Sequence, residues 1–171
     1  MDRILAIGYG NPGRLDDGLG PALAEILEHR AVPGVTVEAA YQLSVEDAAA
    51  IAEHDAVVFL DASVAGPEPF YFTRVEPGDG VELGFTTHSV EPAALLALAR
   101  DLFASTAEGF VLGVRGYEFN DFGEDISQRA ASNLAAAAQF ITTALESRSL
   151  GESADRAAAL GEGAPWQTAS T

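Results

Sequence analysis

Gly8-Tyr9-Gly10-Asn11-Pro12-Gly13-Arg14-Leu15-Asp16-Asp17-Gly18-Leu19-Gly20 follows directly on the apolar run Ile4-Leu5-Ala6-Ile7. A short buried strand ends here in a glycine-rich turn, and two adjacent carboxylates precede a helix. In an open α/β sheet, the loops at the carboxyl ends of the strands are where ligands bind. Glycines in such a loop point to a nucleotide. Carboxylates repel phosphate and point to a cation. The rest of the chain has to decide between them.

Gly20-Pro21 opens a helix that runs to about His29-Arg30, with Ala22, Leu23, Ile26 and Leu27 as its apolar face, and Pro33-Gly34 ends that unit. Residues 35–41 read as a second strand. Ser44 can cap a helix over residues 46–52, with Asp47 at the capping-box position. Ala56-Val57-Val58-Phe59-Leu60 is apolar throughout, which marks a central strand, and it ends on Asp61. The right-handed crossover rule makes this β-α-β-α-β unit a parallel sheet. Its first and third strands are expected as neighbours.

Further on, residues 69–75 read as a strand nearer the edge. The loop Phe85-Thr86-Thr87-His88 leads into a helix over about 91–104, with Pro92 in its first turn. Residues 110–114 are another strand, and 126–145 an alanine-rich helix. From Ser147 the apolar period fails, and Gly, Ser, Glu and Pro dominate around a lone Trp166. The expectation is one α/β domain over residues 1–147 and a disordered tail over 148–171.

With 171 residues and 48% hydrophobic content, the chain has enough material for a single packed core. It has no cysteine, which excludes disulfides, thiolate metal sites and cysteine nucleophiles. The net charge of −17, with no basic patch, argues against nucleic acid and anionic membranes as partners. The start has no signal-peptide layout and no apolar run is long enough to cross a bilayer, so a cytoplasmic protein is expected. A monomer is expected from the charge and the lack of an apolar surface helix.

Gly8-x-Gly10-x-x-Gly13 matches the dinucleotide fingerprint on paper, and Glu38 stands where a ribose-binding acid would. Three details oppose it. The helical pattern starts only after Gly18, whereas a pyrophosphate needs helix amides within the glycines. Pro12 removes an amide donor. Asp16 and Asp17 occupy the place of the phosphates, where each close like-charge pair costs roughly 4 kcal/mol.

Parallel neighbouring strands bring the loop with Asp16 and Asp17 to the same edge as Asp61, and strands lie about 4.8 Å apart. Gly18 permits a turn that aims Asp17 inward, leaving Asp16 to support the loop or cap the helix. His88 lies in a loop leading to a helix N-terminus, whose positive end keeps an imidazole neutral and able to ligate. His29 and His54, near helix ends, fit capping or solvent exposure better. Two carboxylates and an imidazole suit Ni²⁺, Zn²⁺ or Mn²⁺, with coordination positions left open.

The pattern Gly8-x-Gly10-Asn11 through Asp16-Asp17 to Gly20 resembles the N-terminal signature of the hydrogenase maturation proteases, the endopeptidases that process the large subunit of [NiFe] hydrogenases. Asp61, in Phe59-Leu60-Asp61-Ala62-Ser63, and His88, in Thr87-His88-Ser89, match two further family positions. The resemblance spans roughly residues 3–146. It implies a three-layer αβα sandwich around a mostly parallel twisted sheet, phosphorylase/hydrolase-like. It also implies that Asp17, Asp61 and His88 contact a metal and carry the reaction, with Gly10, Asn11 and Asp16 shaping the loop.

The implied enzyme holds no permanent catalytic metal. It recognises nickel already loaded into the large-subunit precursor and cuts off a C-terminal extension after a basic residue. One departure is Ala40-Tyr41-Gln42-Leu43, where many members carry Asp-Gly-Gly; it bears on which hydrogenase is the substrate. No Ser-His-Asp or HExxH arrangement is evident. The rival readings are a nucleotide-binding α/β domain using the glycine loop, and a metal-binding module without proteolysis.

Overall fold

The structure, a computed structural model, describes residues 2–79 and 90–160. Strands β1 (Ile4–Tyr9), β2 (Val35–Ala40), β3 (Ala56–Ser63), β4 (Phe70–Val75) and β5 (Glu108–Arg115) form one sheet in the order β2-β1-β3-β5-β4. β1 pairs in parallel with β2 and β3, and β3 with β5, while β4 at one edge runs antiparallel to β5. The helices are α1 (Leu19–Arg30), α2 (Asp47–Ala52), α3 (Pro92–Phe103), α4 (Gln128–Glu146) and α5 (Leu150–Ala159). The expected sandwich is what forms.

Alternation along the strands sends successive side chains to opposite faces. Ile4, Ala6, Val58, Leu60, Phe110 and Leu112 pack beneath α1, α4 and α5. Leu5, Ile7, Val57, Phe59 and Val111 pack against α2 and α3. β1, β3 and β5 are thus buried on both faces, which is why they read as unbroken apolar runs. β2, at the other edge, is exposed over much of its length.

β3 does not stop at Asp61. It runs on to Ser63 because β5 continues beside it, pairing Asp61 with Gly113 and Ser63 with Arg115. On α1 the buried small residue is Ala24, with Ala22 only half-buried. Of the expected capping box of α2 only the Asp47 half forms: its carboxylate accepts the Ser44 amide at 2.8 Å, while the Asp47 amide bonds to the Ser44 carbonyl rather than its hydroxyl and Glu46 takes the N-cap position.

The expected disordered tail is corrected over its first part. Residues 150–159 form α5, with Leu150, Ser153, Ala154 and Ala157 buried at helical spacing. Small residues let α5 lie close to the β4 side of the molecule: a Cβ on Gly151 would stand 2.5 Å from Arg74 Nη2. Arg74 in turn reaches Glu108 at 2.6 Å and Asp155 at 3.3 Å. A composition of Gly, Ser and Ala looks like a linker, but packing outweighs propensity here. Residues 161–171, including Trp166, lie outside the described residues.

Candidate functional site

The glycine loop is built by close approach. A Cβ on Gly8 would stand 2.4 Å from the Gly20 carbonyl oxygen, and one on Gly20 2.3 Å from that of Tyr9, so α1 meets β1 backbone to backbone. Gly10 adopts φ +141°, and a Cβ there would stand 2.1 Å from the Asp17 carbonyl oxygen. The Asn11 amide donates to Asp17 Oδ2 at 2.8 Å, and Asn11 Oδ1 accepts the Gly13 amide at 2.9 Å. A 3₁₀ turn, Leu15–Gly18, then leads into α1.

Every amide from Gly10 to Asp17 has an acceptor within the protein. Besides Asn11 and Gly13, those of Gly10, Arg14, Leu15, Asp16 and Asp17 donate to the carbonyls of Ala40, Asn11, Gly123, Glu118 and Arg14. Pro12 has none to give. A phosphate-binding loop presents free amides. This loop has spent its own, so the nucleotide reading loses its support.

Asp16 is fully buried. Its carboxylate accepts the amides of Tyr117 (2.8 Å), Glu118 (3.0 Å) and Ser127 (2.8 Å) and the Ser127 hydroxyl (2.7 Å). Burial pushes this carboxyl up, but the four donors outweigh it and hold it below the usual carboxylate range. Ser127 also caps α4 by accepting the Ala130 amide at 3.3 Å. Asp16 therefore ties the glycine loop, the loop after β5 and the start of α4 together, the supporting role expected of it.

Asp61 sits at the carboxyl end of β3, on the α2–α3 face. Some of its surface stays open to solvent, though protein atoms crowd it on most sides. That desolvation pushes its carboxyl up to about 7, opposed by the nearby Tyr9 hydroxyl and by the Ala62 amide, which donates to it at 2.7 Å. The charges of Asp17 and Glu91 raise it further. Asp17 and Asp61, from different strand ends, thus feel each other across one rim, as the parallel pairing of β1 and β3 requires. Two carboxylates on one rim that repel one another are donors of the kind a divalent cation could take.

His88 lies outside the described residues. Among the described residues, no three His, Asp or Glu side chains are grouped closely enough to hold a metal ion. His29 donates through Nδ1 to the Glu25 carbonyl, and His54 contacts the Ala50 carbonyl and Thr36 Oγ1, so both are engaged locally as expected. A cavity lined by Arg74, Leu96, Arg100 and Glu108 opens at the amino end of β5, and Asp17 and Asp61 take no part in it.

Sequence reasoning gave no role to Tyr9, Tyr71 or Glu91, which surround Asp61. Burial pushes both tyrosine hydroxyls up, and the Asp61 charge adds to it; burial raises Glu91 as well. Tyr9 was recoverable from alternation, since it follows Leu5 and Ile7 on one face of β1. Tyr71 was not, because its position depends on the register between β4 and β5.

No protein-family model matches the sequence, and no curated protein does. Solved structures do match. The [NiFe] hydrogenase maturation protease HycI from Thermococcus kodakarensis is 23% identical with a TM-score of 0.66, over 85% of this chain and 93% of that one. The hydrogenase maturating endopeptidase HybD from E. coli is 19% identical with a TM-score of 0.63, over 85% and 93%. The endopeptidase HycI from Escherichia coli is 22% identical with a TM-score of 0.59, over 85% and 90%. The chain has the fold of these proteins over nearly their full length.

Proposed function

We propose that this protein is an endopeptidase that removes the C-terminal extension of a [NiFe] hydrogenase large-subunit precursor after nickel insertion. The observation that carries this is the pair Asp17 and Asp61, brought to one rim of the sheet in a fold shared with maturation endopeptidases. The nickel belongs to the substrate. Asp17, Asp61 and His88 contact it, and the protein keeps no metal of its own. The protein acts in the cytoplasm as a monomer.

In this reading, the acids use binding energy for positioning. Contact with the precursor's nickel tethers it and holds the scissile bond at the rim, which converts an encounter into an oriented complex. Proton transfer then falls to a carboxylate at the rim that the nickel leaves free. A carboxylate so placed can take a proton from the attacking water.

The test is cleavage of a nickel-loaded large-subunit precursor, compared with the nickel-free form, by wild type and by Asp17→Asn, Asp61→Asn and His88→Ala. Cleavage only of the nickel-loaded form, lost in all three variants, is expected. Nickel binding without cleavage would replace this reading with a non-proteolytic metal module. Stabilisation by NAD, unchanged in His88→Ala, would return the glycine loop to nucleotide binding.

A further inference from the structure

Tyr71 is 3% exposed, and its hydroxyl is a buried polar atom with no hydrogen-bond partner. Such a group costs stability and usually has a use. Its placement is specific. Gly113 pairs with Tyr71 on one side and with Asp61 on the other, so the three residues form one row across β4, β5 and β3. Side chains of paired residues point to the same face. The Tyr71 ring fills the space that Gly113 leaves: a Cβ there would stand 2.1 Å from Cε1, 2.4 Å from Cζ and 2.8 Å from the hydroxyl oxygen.

That sets the hydroxyl over β5, the strand next to Asp61, and neighbouring strands lie about 4.8 Å apart. A carboxylate on the neighbouring strand reaches it by rotating its side chain. In the described arrangement Asp61 instead accepts the Ala62 amide, and Tyr9, one residue past the Gly8–Leu60 pair, stands on its other flank.

We infer that Tyr71 is a positioning residue for Asp61. Its hydroxyl stands ready over Gly113 and donates to the Asp61 carboxylate when that carboxylate engages the cation. Tyr9 and Tyr71 then grip Asp61 from both sides, and the cost of the orphaned hydroxyl is recovered on binding. This rests on the proposed role of Asp61 as a metal contact. A purely structural ring would need no hydroxyl, since phenylalanine fills the same space.

The experiment is calorimetric titration of Ni²⁺, with Cd²⁺ as a second probe, into wild type, Tyr71→Phe, Gly113→Ala and Asp61→Asn, with metal-free melting curves for each. Expected is about a tenfold loss of metal affinity in Tyr71→Phe, the size of one hydrogen bond to a charged group, with metal-free stability unchanged or raised. Gly113→Ala, which pushes the ring aside, should weaken binding similarly if it folds. Wild-type binding that Asp61→Asn abolishes and Tyr71→Phe leaves intact overturns the inference and keeps the role of Asp61. If wild type takes neither free ion, the same variants are compared on the nickel-loaded precursor, where about a tenfold rise in KM with kcat kept in Tyr71→Phe supports the inference and an unchanged KM overturns it while leaving the role of Asp61 to Asp61→Asn.

Discussion

The Asp61 carboxyl carries a cost that depends on pH. Its folded value of about 7 stands above its unfolded value, so the native state holds the proton more tightly than the unfolded chain does. Stability is therefore unaffected below the unfolded value, falls as pH rises from there to about 7, and stays reduced above it. Asp61→Asn should be near neutral at about pH 4 and stabilising by roughly 2–4 kcal/mol at about pH 8, read from denaturant melts. Metal binding runs the other way, because a cation competes with the proton: affinity should climb up to tenfold per unit until about pH 7 and then level off. Asp16 has the opposite sign. Its lowered value adds stability that persists above its unfolded pKa and is lost as pH falls through the folded one. Asp16→Ala strands four donors and should cost about 3–5 kcal/mol. Gly10→Ala should cost at least about 2 kcal/mol and displace Asp17, because both its φ and the nearby Asp17 carbonyl forbid a side chain. Equal metal binding by Gly10→Ala would separate Asp17 from the loop's shape.

At the level of elements, the strands buried on both faces were legible because burial leaves a continuous apolar run: β1, β3 and β5 needed no partner to be recognised. Parallel pairing follows from the handedness of the crossovers, and with β1 and β3 as neighbours it brings the Asp17 loop and Asp61 to one rim. What could not be read depends on contacts between distant segments. The Tyr71–Gly113–Asp61 row exists only once β4 and β5 choose their register. α5 was hidden because its buried face is Leu150, Ser153, Ala154 and Ala157, small residues that signal weakly until a surface selects them. Those contacts give α5 a measurable role. Ending the chain after Ser149 should lower the melting temperature and speed proteolysis at the β4 edge, while Leu150→Ala alone should cost about 2–4 kcal/mol in denaturant melts. An unchanged melting curve on truncation would mean that α5 only rests on the fold.

Across the whole molecule, 26 acidic residues face 9 basic ones, so the folded chain repels itself. The surface ion pairs, such as Arg3–Asp55 and Arg129–Glu68, are exposed and contribute little against that. Raising salt from about 10 to 150 mM should therefore raise the melting temperature, as screening relieves repulsion more than it weakens pairing. A fall would show that the ion pairs dominate. The same field would speed the approach of a basic substrate segment, and cleavage at low substrate should slow as salt is added. The hold of Asp16 on Tyr117, Glu118 and Ser127 has a consequence in time. β1, β2 and β3 are complete by Ser63, but the donors that finish the loop beside them are synthesised more than a hundred residues after Asp16. A chain still on the ribosome can assemble those three strands without the finished rim. The nascent protein would stay inert toward its target until residue 127 has emerged, and a stalled or prematurely ended chain would never become active.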